Sequence, residues 1–188
     1  MSCCRTYEVI PRNEYQKVMH SGDTELDRDF LCIEENYIPL VPYIPNDWVV
    51  VDLGCYQAAQ AYHFVDKAGY VGVDNYDAKY VRGYKPPLRF RPKNAVHMKE
   101  SIQEFLKNHL CYFDLDKTYF IMSGVKDFAA TADAFAMVKH AYLAYPGEET
   151  SVKGINREEI LESVRRFRLQ QDIDDLLIKL GKDNRKDR

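Results

Sequence analysis

Trp48-Val49-Val50-Val51-Asp52-Leu53-Gly54 is an unbroken, mostly β-branched apolar run with one acid near its end. Bounded by Asn46-Asp47 and by a glycine, it reads as a strand buried on both faces, the habit of strands inside a parallel sheet. Tyr70-Val71-Gly72-Val73-Asp74 repeats the pattern on a smaller scale. Between them, Gln57 to Ala68 is rich in alanine and is followed by Gly69, so the composition predicts a helix there. Strand, helix and strand within about 30 residues make a βαβ unit, and parallel strands joined this way need helices on the sheet faces. The unit therefore commits the chain to an α/β fold.

The remaining segments extend that reading. At 188 residues and 46% apolar content the chain has enough material for one sizeable core. A single domain is expected over 1–181, with a helical lead-in over 1–47, a core over 48–150, a C-terminal helix over 156–180 and a charged, disordered tail over 182–188. Lead-in helices are predicted near 12–20 and 29–38, the second stopped by Pro39, Pro42 and Pro45. Asn75 to Lys93 reads as a long connection. Ala95 to Met98 and Thr118 to Ser123 read as strands, Ser101 toward His109 as a helix, and Ala129 to Tyr145 as a helix broken by Pro146-Gly147. The segment 150–155 is a fifth strand or a loop. Asn156 is a helix cap, and the apolar positions 160, 161, 164, 167, 169, 173, 176, 177 and 180 make one stripe that ends at Gly181. The expected architecture has three layers, a mainly parallel sheet of about five strands with helices on both faces.

A net charge of −3 exerts no general pull toward nucleic acid or anionic membrane. No apolar run approaches the ~18 residues of a membrane span. Cys3, Cys4, Cys32, Cys55 and Cys111 are an odd, scattered set without CxxC or HxxxH spacing, which points to free thiols, no bound metal and a cytoplasmic setting.

In a parallel sheet, the turn after Gly54 and the carboxylate of Asp74 fall at the same carboxyl edge, where such sheets bind ligands. Asp74 lies about 20 residues past Asp52, a spacing that suits an acid bonded to ribose hydroxyls. Val49 to Cys55 resembles motif I of the class I S-adenosylmethionine-dependent methyltransferases, and Val71-Gly72-Val73-Asp74 resembles their second motif. Asn94 to Leu106 is similar to the family's third strand and the acidic turn after it, Phe120 to Gly124 to its fourth strand, and Pro146-Gly147 to the turn before its fifth. The resemblance implies S-adenosylmethionine as cofactor and a site built from Asp52, Gly54, Tyr56, Asp74, Asn75, Tyr76, Glu100, Ser101 and Ser123. Within it Asp74 would hold the ribose, Asn75 or Tyr76 would lie beside the adenine, and Glu100 would face the adenine amino group. The acceptor would sit near Ser123 and Asp127.

The chain also departs from that pattern. Tyr56 and Ala58 stand where the motif has its second and third glycines. Tyr56 is either a plug in the pocket or an aromatic lid on a ligand. The family's C-terminal β-hairpin is expected to be missing, replaced by the 156–180 helix. Asp52 has a second reading, holding its own turn through backbone N–H groups. His63 and His97 read as packed or surface histidines. The basic, aromatic run from Lys79 to Lys93 reads as a solvated loop before a nucleic-acid contact. Arg165, Arg166 and Arg168 read as an ordinary helix surface before a protein contact, and the C-terminal helix offers a face for a protein partner or for self-association. No residue is assigned to catalysis and the acceptor substrate is open. Two functions remain, a methyltransferase-like enzyme and a Rossmann-like binding module without catalysis; a nicotinamide oxidoreductase fits less well, because the turn lacks the glycines for a pyrophosphate.

Overall fold

Six strands form one sheet in the order β3-β2-β1-β4-β5-β6. The computed structural model describes residues 36–55, 58–75, 94–145 and 147–183. The lead-in before residue 36, Tyr56 and Gln57, the connection from Tyr76 to Lys93 with its basic run, Pro146 and residues 184–188 lie outside the described residues. Strands β1 (Val49–Leu53), β2 (Gly69–Asp74), β3 (Ala95–Lys99), β4 (Thr118–Ser123) and β5 (His140–Ala144) are parallel. The short β6 (Ser151–Lys153) runs antiparallel to β5. β1 lies between β2 and β4, where its apolar run predicts a strand covered on both faces, and Val50, Val51, Asp52 and Leu53 have no exposed surface. The architecture is the three-layered, mostly parallel α/β arrangement expected of the βαβ unit.

Alternating residues of each strand feed two cores. Val51, Leu53, Val73, Phe120 and Met122 face α1 (Ile102–Asn108) and α2 (Phe128–Met137), meeting Ile102, Phe105, Ala130 and Ala134. Val50, Tyr70, Tyr119, Ile121 and Tyr142 face the other way, against the 3₁₀ helices Ile38–Tyr43 and Ala59–Phe64 and the first turns of α3 (Arg157–Asp183).

Four elements differ from their sequence readings. The crossover between β1 and β2 is a 3₁₀ helix of six residues rather than a helix from 57 to 68. Ala58 is left-handed (φ 53°) and its N–H bonds back to the Cys55 carbonyl at 2.8 Å, so a turn takes up the start of the expected helix. The α-helical residues 36–37 give way ahead of Pro39, but the prolines do not end helical structure: the chain continues as a 3₁₀ helix in which Pro39 stands at the start, where no donor is needed, and Pro42 lies inside and forgoes one bond. The alanine-rich stretch from 129 to 145 is two elements. α2 stops at Met137, and His140 to Ala144 becomes β5, so Pro146-Gly147 follows the fifth strand instead of preceding it. Pairing along β4 overrides the helical composition there. After β6, α3 continues through Gly181 to Asp183. The Asn156 carbonyl accepts from the N–H of Ile160 at 2.9 Å, while its side-chain amide donates to the Tyr43 carbonyl at 2.7 Å.

A buried lysine ties the first 3₁₀ helix to the sheet. Lys67 Nζ donates to the carbonyls of Val41 (2.9 Å) and Ile44 (2.5 Å) and to Asn46 Oδ1 (2.9 Å). It satisfies carbonyls that a helix end leaves open, and burial lowers its pKa. Lys67→Met keeps the apolar stem and strands these acceptors, so a loss of about 2–4 kcal/mol is expected in urea unfolding. A midpoint equal to the parent's would contradict this role.

Candidate functional site

Strand order reverses direction between β1 and β4, and sheets of this kind open a crevice for ligands beyond the carboxyl ends of those two strands. Gly54 ends β1 there with φ +80°, a conformation that favours glycine, and both its N–H and that of Cys55 donate to the Val73 carbonyl, at 2.8 and 3.1 Å. The turn is thereby folded onto β2. It fits because Gly72 has no side chain: a Cβ at that position would lie 2.7 Å from Cys55 Sγ and 3.2 Å from Ala58 Cβ. On its β4 side the turn meets Val125, whose Cγ2 would collide with a Cβ at Gly54.

Asp74 ends β2 beside this turn, half-buried, and its carbonyl accepts the Glu100 N–H at 3.2 Å. Asn75 follows, exposed, and Ser123 ends β4, half-buried. Strand order thus brings Gly54, Asp74, Asn75 and Ser123 to one edge. Glu100 and Ser101 lie at the same edge beyond β3, engaged by neighbours. The Glu100 carboxylate is 3.2 Å from His109 Nε2. Ser101 caps α1 in a reciprocal box, its Oγ accepting the Glu104 N–H at 3.2 Å and its N–H donating to Glu104 Oε2 at 2.9 Å. Asp127 caps α2 by accepting from the Ala130 N–H (3.0 Å) and also takes a bond from Gln103 Nε2 (2.9 Å). The Ala130 bond, then the Gln103 bond, hold its carboxyl below the usual range, which makes it a weak base. Tyr56 and Tyr76 lie outside the described residues. His63 and His97 are half-buried in the 59–64 helix and in β3.

Asp52 does something else. Its carboxylate has no exposed surface and collects three side-chain donors: Tyr37 OH on Oδ1 at 3.1 Å, and Tyr70 OH and Gln60 Nε2 on Oδ2, each at 2.5 Å. Gln60 Nε2 also reaches the Cys55 carbonyl at 2.9 Å, so the network braces the turn from beneath. The bracing comes from side chains, in place of the backbone N–H groups expected. Burial pushes the Asp52 pKa up to about 6, against the pull of its three donors. In this arrangement the carboxylate has no surface to offer a ligand. Tyr37, Gln60 and Tyr70 carry no sequence signal that marks them as partners.

No protein-family model and no curated protein matches the chain. Among solved structures it is similar to a cyclopropane-fatty-acyl-phospholipid synthase-like protein from Lactobacillus casei, at 11% identity and a TM-score of 0.45. The match covers 71% of this chain and 56% of that protein. A likeness this distant carries no functional argument. Among the described residues, no group of three histidines, cysteines or acids is placed to hold a metal, and no helix is long and apolar enough to cross a membrane.

Proposed function

We propose that the chain binds S-adenosylmethionine at the carboxyl edge of its sheet as a methyltransferase-like protein whose acceptor is open. One observation carries the reading: Asp74 ends β2 next to the Gly54 turn that ends β1, the strand that borders the reversal of order between β1 and β4. An acid on the second strand beside a tight glycine turn on the first suits a nucleoside, whose ribose hydroxyls need an acceptor and whose chain needs close backbone approach. Asn75 and Ser123 would border it. When bound, the cofactor supplies an activated methyl on a sulfonium leaving group. The protein's share is then orientation of the acceptor and exclusion of water.

The fit is incomplete at two residues. Val125 is packed onto Gly54, and Asp52 is committed to the core. These favour a second reading, a binding module that keeps the nucleoside edge without transfer chemistry.

Thermal melting with S-adenosylhomocysteine tests the site. At 100-fold over the dissociation constant the ligand should stabilise by about 2.7 kcal/mol, a rise of roughly 5–11 °C for a chain of this size. Asp74→Ala should abolish the rise. No shift at millimolar ligand rejects the cofactor, and a shift that survives Asp74→Ala rejects this placement of it. Binding without methyl transfer to any acceptor in a cell extract selects the second reading.

A further inference from the structure

Helix α3 spans Arg157–Asp183, about 40 Å at 1.5 Å per residue. Its first half is packed. Ile160 and Val164 are buried, Ser163 Oγ donates to the Pro39 carbonyl at 3.2 Å, and Arg168 Nη2 donates to Asn36 Oδ1 at 3.2 Å. Its second half turns apolar residues outward: Leu169 is 60% exposed, Ile173 43%, Leu176 57% and Leu177 60%. Their spacing is ordered. Leu169, Ile173 and Leu176 fall at alternating steps of four and three, and Leu180 holds the next such position, which is the d-a-d-a seam of a coiled coil. A helical segment of this length is marginal by itself in water, and an apolar seam along it needs cover.

We propose that this half of α3 pairs with the same segment of a second copy of the chain, antiparallel. The charges beside the seam select both occupant and direction. Asp172 and Lys179 hold successive g positions. With the Ile173 position layered on the Leu176 position of the second copy, position 169 falls level with position 180, and position 172 lies opposite position 179. The two-fold axis repeats this opposite-charge pair. A parallel pair would set Asp172 against Leu177 and gain nothing from either charge. The seam therefore complements itself in one direction.

Sedimentation equilibrium of the full chain should give twice 22.0 kDa in the micromolar range. Leu176→Glu alters an exposed side chain remote from the core, so it should keep the near-UV circular dichroism of the packed tyrosines and Trp48 at the parent's level while returning the protein to a monomer. Asp172→Lys and Lys179→Asp should each weaken self-association roughly tenfold, because each sets two like charges across the axis. An equimolar mixture of these two variants should associate again, since each then meets the opposite charge. A monomeric parent at about 100 μM, or a dimer that persists in Leu176→Glu, overturns the proposal. Charge variants that associate like the parent overturn the antiparallel register.

Discussion

Replacing Asp52 by alanine is expected to cost about 3–5 kcal/mol and to lower the melting temperature by roughly 6–20 °C. Removing the carboxylate leaves the hydroxyls of Tyr37 and Tyr70 and the amide of Gln60 aimed at a cavity that water does not reach. Each stranded donor keeps its desolvation penalty, about 1–3 kcal/mol. Asp52→Asn should cost less, because the amide oxygen still accepts and tyrosine hydroxyls can rotate to accept from its NH₂. Differential scanning calorimetry of the two variants orders them. An alanine variant that melts with the parent would remove Asp52 as the brace of the turn.

The same carboxylate makes stability depend on pH in a defined sense. Its pKa is about 6 in the folded chain against 3.8 when unconstrained, so the native state holds the proton more tightly. Its contribution is therefore complete below pH 3.8 and declines as pH rises through about 6. Asp52→Asn has no such proton. The stability difference between parent and Asp52→Asn should shrink across that window and stay flat above it. A difference that grows with pH would mean that the three donors outweigh burial.

How much of this was legible in the chain depends on the kind of contact. β1, β2 and β4 are readable because strands covered on both faces are mostly apolar, and the βαβ unit pairs β1 with β2, whereas the place of β4 on the other side of β1 is set by the packed sheet. β5 is hidden because His140-Ala-Tyr-Leu-Ala continues the helix-forming composition of α2, and only pairing with β4 separates the two. The site divides the same way. Gly54 and Asp74 sit at strand ends, positions that topology alone brings together. The partners of Asp52 stand 15, 8 and 18 residues away with no repeating interval, and only the packed core brings them to one carboxylate. An acid in an apolar strand signalled that something must pair with it; it did not signal whether that was a ligand or the protein itself.

Gly154→Ala is expected to be the most damaging glycine change in the second half of the chain, at about 3–5 kcal/mol. Gly154 links β6 to α3 at φ +90°, and a Cβ there would run into His140 Nδ1 and lie 2.7 Å from the Lys139 carbonyl and 2.8 Å from His140 Cα. Two of these obstacles are backbone and cannot swing aside. The third atom, His140 Nδ1, accepts the Ile155 N–H at 2.9 Å while the ring packs on Trp48 with centroids 4.7 Å apart. Displacing the ring strands that N–H and loosens the start of α3. Gly147→Ala isolates the conformational part, because Gly147 has φ +80° but nothing within 4 Å of an added Cβ; about 1–2 kcal/mol is expected there. Should Gly154→Ala melt no lower than Gly147→Ala, crowding against His140 would be irrelevant to the β6–α3 junction. An independent sign comes from acid. Burial, then the charge of Lys139, lowers the His140 pKa from its usual 6.5, so the ring is neutral when folded and Nδ1 can accept. Stability from this ring is present above pH 6.5 and is lost as pH falls toward the folded value, since a proton on Nδ1 removes the acceptor. His140→Gln, with no group that titrates there, should lose that acid-side decline while Gly147→Ala keeps it.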